Sequence, residues 1–171
     1  MYSATLDYVD PIIRSSSNDG EVWVFYTELQ TPRIRFVLFD AMGNYIYQRY
    51  ENSLLIRDVV VDPDDGMMVY MLTEVAAGGT SRVYLYNGHS IDYDWRVMIG
   101  DANSQSYAMT LHRNKEYAFI VGEQVGRTVH GLNIPWIAKV NLVTGNVDRQ
   151  VSWELPNAGA MTGTFLKSVV W

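Results

Sequence analysis

Three glutamates are the first residues in this chain whose type and spacing could do chemistry. Glu28, Glu74 and Glu123 close the segments Phe25-Tyr-Thr-Glu28, Met71-Leu-Thr-Glu74 and Ile120-Val-Gly-Glu123. An acidic position thus recurs about every 45 to 50 residues. Carboxylates at matching ends of successive strands could form an acidic rim for a cationic ligand or partner. They could equally accept hydrogen bonds from backbone or from Arg33 or Arg82, and so serve the scaffold. A second candidate is the insertion Gln124 to Pro135, which lengthens the third repeat and runs into Trp136. Arg127, His130 and Trp136 suit a binding surface, and loops displayed on rigid sheets often carry function.

Other constellations carry less. His89, His112 and His130 show no metal-ligand spacing such as H-E-x-x-H. The absence of cysteine excludes disulfides, thiolate metal sites and cysteine nucleophiles. There is no G-x-S-x-G elbow, and Gly122, Gly126 and Gly131 open no helix that could cradle a phosphate. Asp62-Pro-Asp-Asp-Gly66 gathers three carboxylates but lacks the alternate spacing and distant Glu of an EF-hand loop. It reads as a tight hairpin turn. Asp92 and Asp94 share one face of a strand, where they could hold a cation, act as an acid pair or simply be solvated. No catalytic residue, metal or cofactor is assigned.

The elements that must position these residues are strands. Apolar and polar residues alternate through Val22–Thr27, Arg33–Phe39, Tyr45–Tyr50, Leu55–Val61, Met67–Thr73, Arg82–Tyr86 and Tyr93–Ile99. The same holds for Tyr107–Leu111, Glu116–Val121, Trp136–Leu142 and Val147–Trp153. Turn residues separate them, including Asn18-Asp-Gly20, Met42-Gly-Asn44, Asn87-Gly88, Asn114-Lys115 and Thr144-Gly-Asn146. Aligned on the glutamates, the strands fall into three four-strand units, each with a glycine turn after its third strand, at Gly43, Gly88 and Gly145. The fold expected is all-β, a partial β-propeller of about three four-stranded antiparallel blades. The blades span approximately 10–53, 54–104 and 105–159 within a single domain, 1–171. Strands at 3–9 and 163–171 would belong to adjacent blades.

Composition narrows the partners. With 13 Lys and Arg against 19 Asp and Glu, the net charge of −6 argues against nucleic acid and against docking on anionic lipid. The longest apolar runs fall far short of a bilayer span, so no membrane insertion is expected. The N-terminus lacks the basic start and apolar stretch of a secretory signal, and localisation is left open.

The unit resembles the YWTD repeats of low-density-lipoprotein-receptor-type propellers and, more loosely, NHL blades. Val59-Val-Val-Asp62, Gly66, Val69-Tyr-Met-Leu-Thr-Glu74, Arg82-Val83 and Gly88 follow that order, as do Val24-Phe-Tyr-Thr-Glu28, Arg33-Ile34 and Gly43. No copy holds the intact tetrapeptide. The resemblance implies a face that binds proteins or peptides. Three blades are fewer than a closed ring of four to eight, so the expectation is a non-catalytic binding or assembly module completed by a protein partner or other copies of itself. Two rivals stand beside it: a fragment of a propeller enzyme acting on sugar or peptide, and a β-sandwich component of a virion or other large assembly.

Overall fold

The structure, a computed structural model, describes residues 11–16, 20–28, 33–52, 55–66, 68–77, 80–89, 92–100, 103–125 and 133–152. The first sheet holds β1 (Ile12–Ser15), β2 (Val22–Glu28), β3 (Arg33–Phe39) and β4 (Tyr45–Asn52). The second holds β5 (Leu55–Val61), β6 (Met68–Ala77), β7 (Thr80–His89) and β8 (Asp92–Ile99), and the third β9 (Ser104–Leu111), β10 (Tyr117–Gln124), β11 (Ile134–Asn141) and β12 (Asn146–Ser152). Within each sheet every strand pairs antiparallel with its sequence neighbour. The strands read at 3–9 and 163–171 lie outside the described residues.

The sheets pack in succession. β5 lies against β1, β2 and β3, while β9 lies against β5, β6 and β7. The first strands of the three sheets are therefore neighbours along one inner edge, as blades are around an axis. This is the all-β, propeller-like fold expected, and not the two facing sheets of a sandwich.

Side-chain alternation explains the packing. Trp23, Phe25, Ile34, Phe36 and Leu38 leave one face of the first sheet and meet Ile56, Val59, Val61 and Met71 of the second. Tyr70, Leu72 and Ile99 leave the opposite face of the second sheet and meet Met109, Ala118, Ile120, Trp136, Ala138 and Val140 of the third. Each such large side chain contributes roughly 1.5–3 kcal/mol on burial. Trp23 adds a cross-sheet hydrogen bond, its indole N–H donating to the Gly66 carbonyl at 2.9 Å.

One expected turn is absent. Asn87 and Gly88 lie inside β7, opposite Trp95 and Tyr93, where the pairing register shifts. An Asn-Gly pair fits a turn or an irregularity in a ladder equally well, and here the strand runs on to His89. The turns at Gly43 and Gly145 are present, both with positive φ (81° and 69°).

The Asp62–Gly66 segment forms the hairpin turn. The Asp62 carboxylate accepts the amides of Asp64 and Asp65, and Lys115 of the third sheet donates its ammonium to both Asp62 and Asp64. Burial pushes the Asp62 carboxyl up, but Lys115 and the turn amides outweigh it and hold it below its ordinary value. A depressed carboxyl stabilises the fold above its unfolded pKa of about 3.9, and that contribution disappears as pH falls through the folded value. Asp62→Asn is therefore expected to cost about 1–2 kcal/mol at pH 7. Urea midpoints of variant and parent should converge below about pH 4.

Candidate functional site

An inner edge made of first strands presents a physical problem. Outward N–H and C=O groups of β1, β5 and β9 have no further strand to pair with, and buried orphans cost free energy. Side chains of the adjacent sheet satisfy several of them. Asp58 on β5 accepts the Met109 amide of β9 at 2.9 Å through one oxygen. Its other oxygen receives Arg14 of β1 at 2.9 Å and the Val59 amide at 2.8 Å. Arg14 also donates its Nε–H to the Val59 carbonyl at 2.7 Å. One ion pair thus ties three sheets together. Sequence reading passed over Arg14 and Asp58. The available signal was the pair Arg57-Asp58 interrupting an otherwise apolar run, Leu55–Val61.

Glu74 does the same work in the second half of β6. Its Oε1 accepts the Ser106 amide of the third sheet at 2.6 Å, and its Oε2 receives Arg57 at 2.7 Å. Thr27 plays the matching part between the first and second sheets, its hydroxyl accepting the Ile56 amide at 3.3 Å. The structural counterpart of Glu74 is therefore Thr27 and not Glu28, which corrects the alignment by one residue. In a strand that single step moves a side chain to the other face. Glu28 shares the face of Tyr26, turned away from the second sheet, and binds Arg33 and, at 3.6 Å, Arg35. Arg33 and Arg35 in turn lie over the Tyr50 ring at 4.3 and 4.8 Å.

Glu123 stands where Glu74 does, one sheet further on, and is half-buried. It accepts the Asn133 side-chain amide at 2.6 Å. Burial and a hydrogen bond to Glu123 push the Tyr107 hydroxyl well above its ordinary value, so Tyr107 remains a proton donor toward that carboxylate. Arg57 and Tyr107 occupy matching places, each at a register shift in the first strand of its sheet. The glutamates thus lie at the same ends of their second strands but do not share one sheet face, and Glu28 and Glu74 are engaged by neighbouring groups. Among the described residues, no group of three His, Cys, Asp or Glu could hold a metal ion.

Trp136 does not form part of an exposed surface. It is 1% exposed, in the core between the second and third sheets, and faces Gly122 across the strand pair. Arg127 and His130 lie outside the described residues.

The Thr73 hydroxyl, on the face of β6 opposite Glu74, is buried with no hydrogen-bond partner among the described residues. Two identical substitutions should therefore differ. Thr27→Val strands the Ile56 N–H and is expected to cost about 1–3 kcal/mol, whereas Thr73→Val removes an unsatisfied hydroxyl and should be neutral or mildly stabilising. Parallel urea unfolding of the two variants checks this.

Consecutive four-stranded sheets with adjacent, side-chain-capped first strands define the β-propeller class. The solved structure of Pyrococcus horikoshii acylaminoacyl peptidase is similar to this chain, with a TM-score of 0.53 and 10% identity, the match covering 85% of this chain. The matched region is part of that peptidase's β-propeller. This chain spans 24% of the peptidase's length, and at that identity the likeness is one of fold. No protein-family model matches the chain, and no curated protein matches it in sequence.

Proposed function

We propose that this chain is a non-catalytic binding or assembly module, an arc of a larger or oligomeric β-propeller whose partner is a protein or another copy of itself. The observation that carries this reading is the use of charge at the inner edge. Asp58 and Glu74 are spent on backbone amides of the neighbouring sheet, which makes them scaffold and not acid–base machinery. Exposed apolar side chains on strands, among them Ile13 at 58% and Met98 at 49%, favour a covered surface in the working state. The resemblance of Val69-Tyr-Met-Leu-Thr-Glu74 to a YWTD strand favours a protein or peptide as the thing bound. Size-exclusion chromatography with light scattering tests the self-assembling form. A mass above the 19.5 kDa of one chain is expected; a monodisperse monomer at every concentration would remove it and leave only the form with a foreign partner.

A second reading follows from the structural match: the arc belongs to the propeller of an enzyme acting on peptide. Hydrolysis of an acylated chromogenic peptide by the protein purified from its native source would favour it over the first.

A further inference from the structure

The inner edge borders an open hollow of about 390 Å³ that none of the preceding assignments uses. It lies within the roughly 300–1,000 Å³ of small-molecule sites. Arg14 and Ser15 of β1, Asp58 and Val60 of β5, Pro63 of the following turn and Met109 of β9 line it. One side is therefore apolar and the other carries the Arg14–Asp58 ion pair, whose guanidinium is its one cationic group. That guanidinium is held in place, donating to the Val59 carbonyl, the Ile13 carbonyl and Asp58. A guanidinium has five N–H donors. These bonds occupy one N–H on Nε, one on Nη1 and one on Nη2, so each terminal nitrogen keeps a hydrogen with no acceptor among the described residues. The Arg14 side chain is 42% exposed. The Asp58 charge is offset by Arg14, and its two oxygens receive three N–H donors in all.

We propose that the hollow binds a small monocarboxylate with a short apolar chain. The carboxylate takes the two unused Arg14 N–H groups as a fork, and the chain lies along Val60, Pro63 and Met109. Fork geometry suits a planar carboxylate, and a guanidinium already ordered loses little freedom on binding it.

Sodium hexanoate is the probe, titrated into ¹⁵N-labelled chain at constant ionic strength. The expected result is saturable amide shifts confined to Arg14, Ser15, the Val59–Val61 strand and Met109, with a millimolar dissociation constant. Hexanamide has the same chain without the charge and should bind at least about tenfold more weakly. Arg14→Lys keeps the charge facing Asp58 but not the fork, and should lose a similar factor. Ser15→Phe, at an exposed position, should fill the mouth and abolish the saturable shifts while leaving Arg14 intact, so the test survives if Arg14→Lys unfolds. Equal binding of hexanamide, undiminished shifts in Ser15→Phe, or unsaturable shifts spread over the surface would each overturn the proposal. None of these outcomes depends on whether the chain assembles.

Discussion

Glu74→Ala is expected to lower the unfolding free energy by about 2–4 kcal/mol, more than loss of an ordinary surface ion pair explains. The Glu74 side chain is only 3% exposed, whereas its partner Arg57 is 41% exposed. Released from Glu74, the guanidinium regains water and the lost ion pair costs little. The cost falls on the Ser106 amide, which donates to Glu74 at 2.6 Å and would be left buried with no acceptor. Hydrogen bonds to a charged group are worth about 1.5–3 kcal/mol, and stranding a buried donor costs about 1–3. Glu74→Gln keeps an acceptor for Ser106 but turns an N–H toward Arg57, so its loss should fall between Ala and the parent. Chemical unfolding of the three proteins, with unchanged m-values, is the measurement.

Gly122→Ala should be more damaging still, at about 3–5 kcal/mol or outright failure to accumulate folded protein. A Cβ at position 122 would sit 2.1 Å from the Gln105 carbonyl oxygen and 2.3 Å from Trp136 Cζ2. The first of these atoms belongs to the backbone of the adjacent strand and cannot swing aside. The indole is confined between sheets in close-packed surroundings. Adding Trp136→Leu removes the ring clash but not the carbonyl clash, so rescue should be partial. Recovery of full stability in the double variant would mean that the strand pair is looser at Gly122 than described.

These two residues show how far the sequence was legible. Alternation and turn chemistry were enough to read three four-strand units, because period-two burial and glycine turns are local signals. Gly43 and Gly145 mark their turns correctly. The repeat could not fix side-chain facing: Glu28 and Glu74 look alike in sequence, yet a one-residue step puts them on opposite faces. Gly122 stands in the third repeat's Ile120-Val-Gly-Glu123, and Trp136 reads as a binding residue. Their meaning lies in a contact across the sheet that neither residue announces. Arg14 and Asp58 went unnoticed for the same reason, since their partners are 44 residues apart in the chain. Local pattern shows which strands exist, whereas the site depends on which edges meet.

The central claim is that side chains of each neighbouring sheet cap the inner-edge amides and thereby hold the arc together. Residue-resolved hydrogen exchange of the Ser106 and Met109 amides tests it most directly, because both donate to carboxylates of the second sheet. Both amides should be protected to nearly the level of the β10 core, and Glu74→Ala should collapse protection at Ser106 while sparing Met109. Exchange of both at the rate of exposed turn amides, with the ladders of each sheet still protected, would contradict the account.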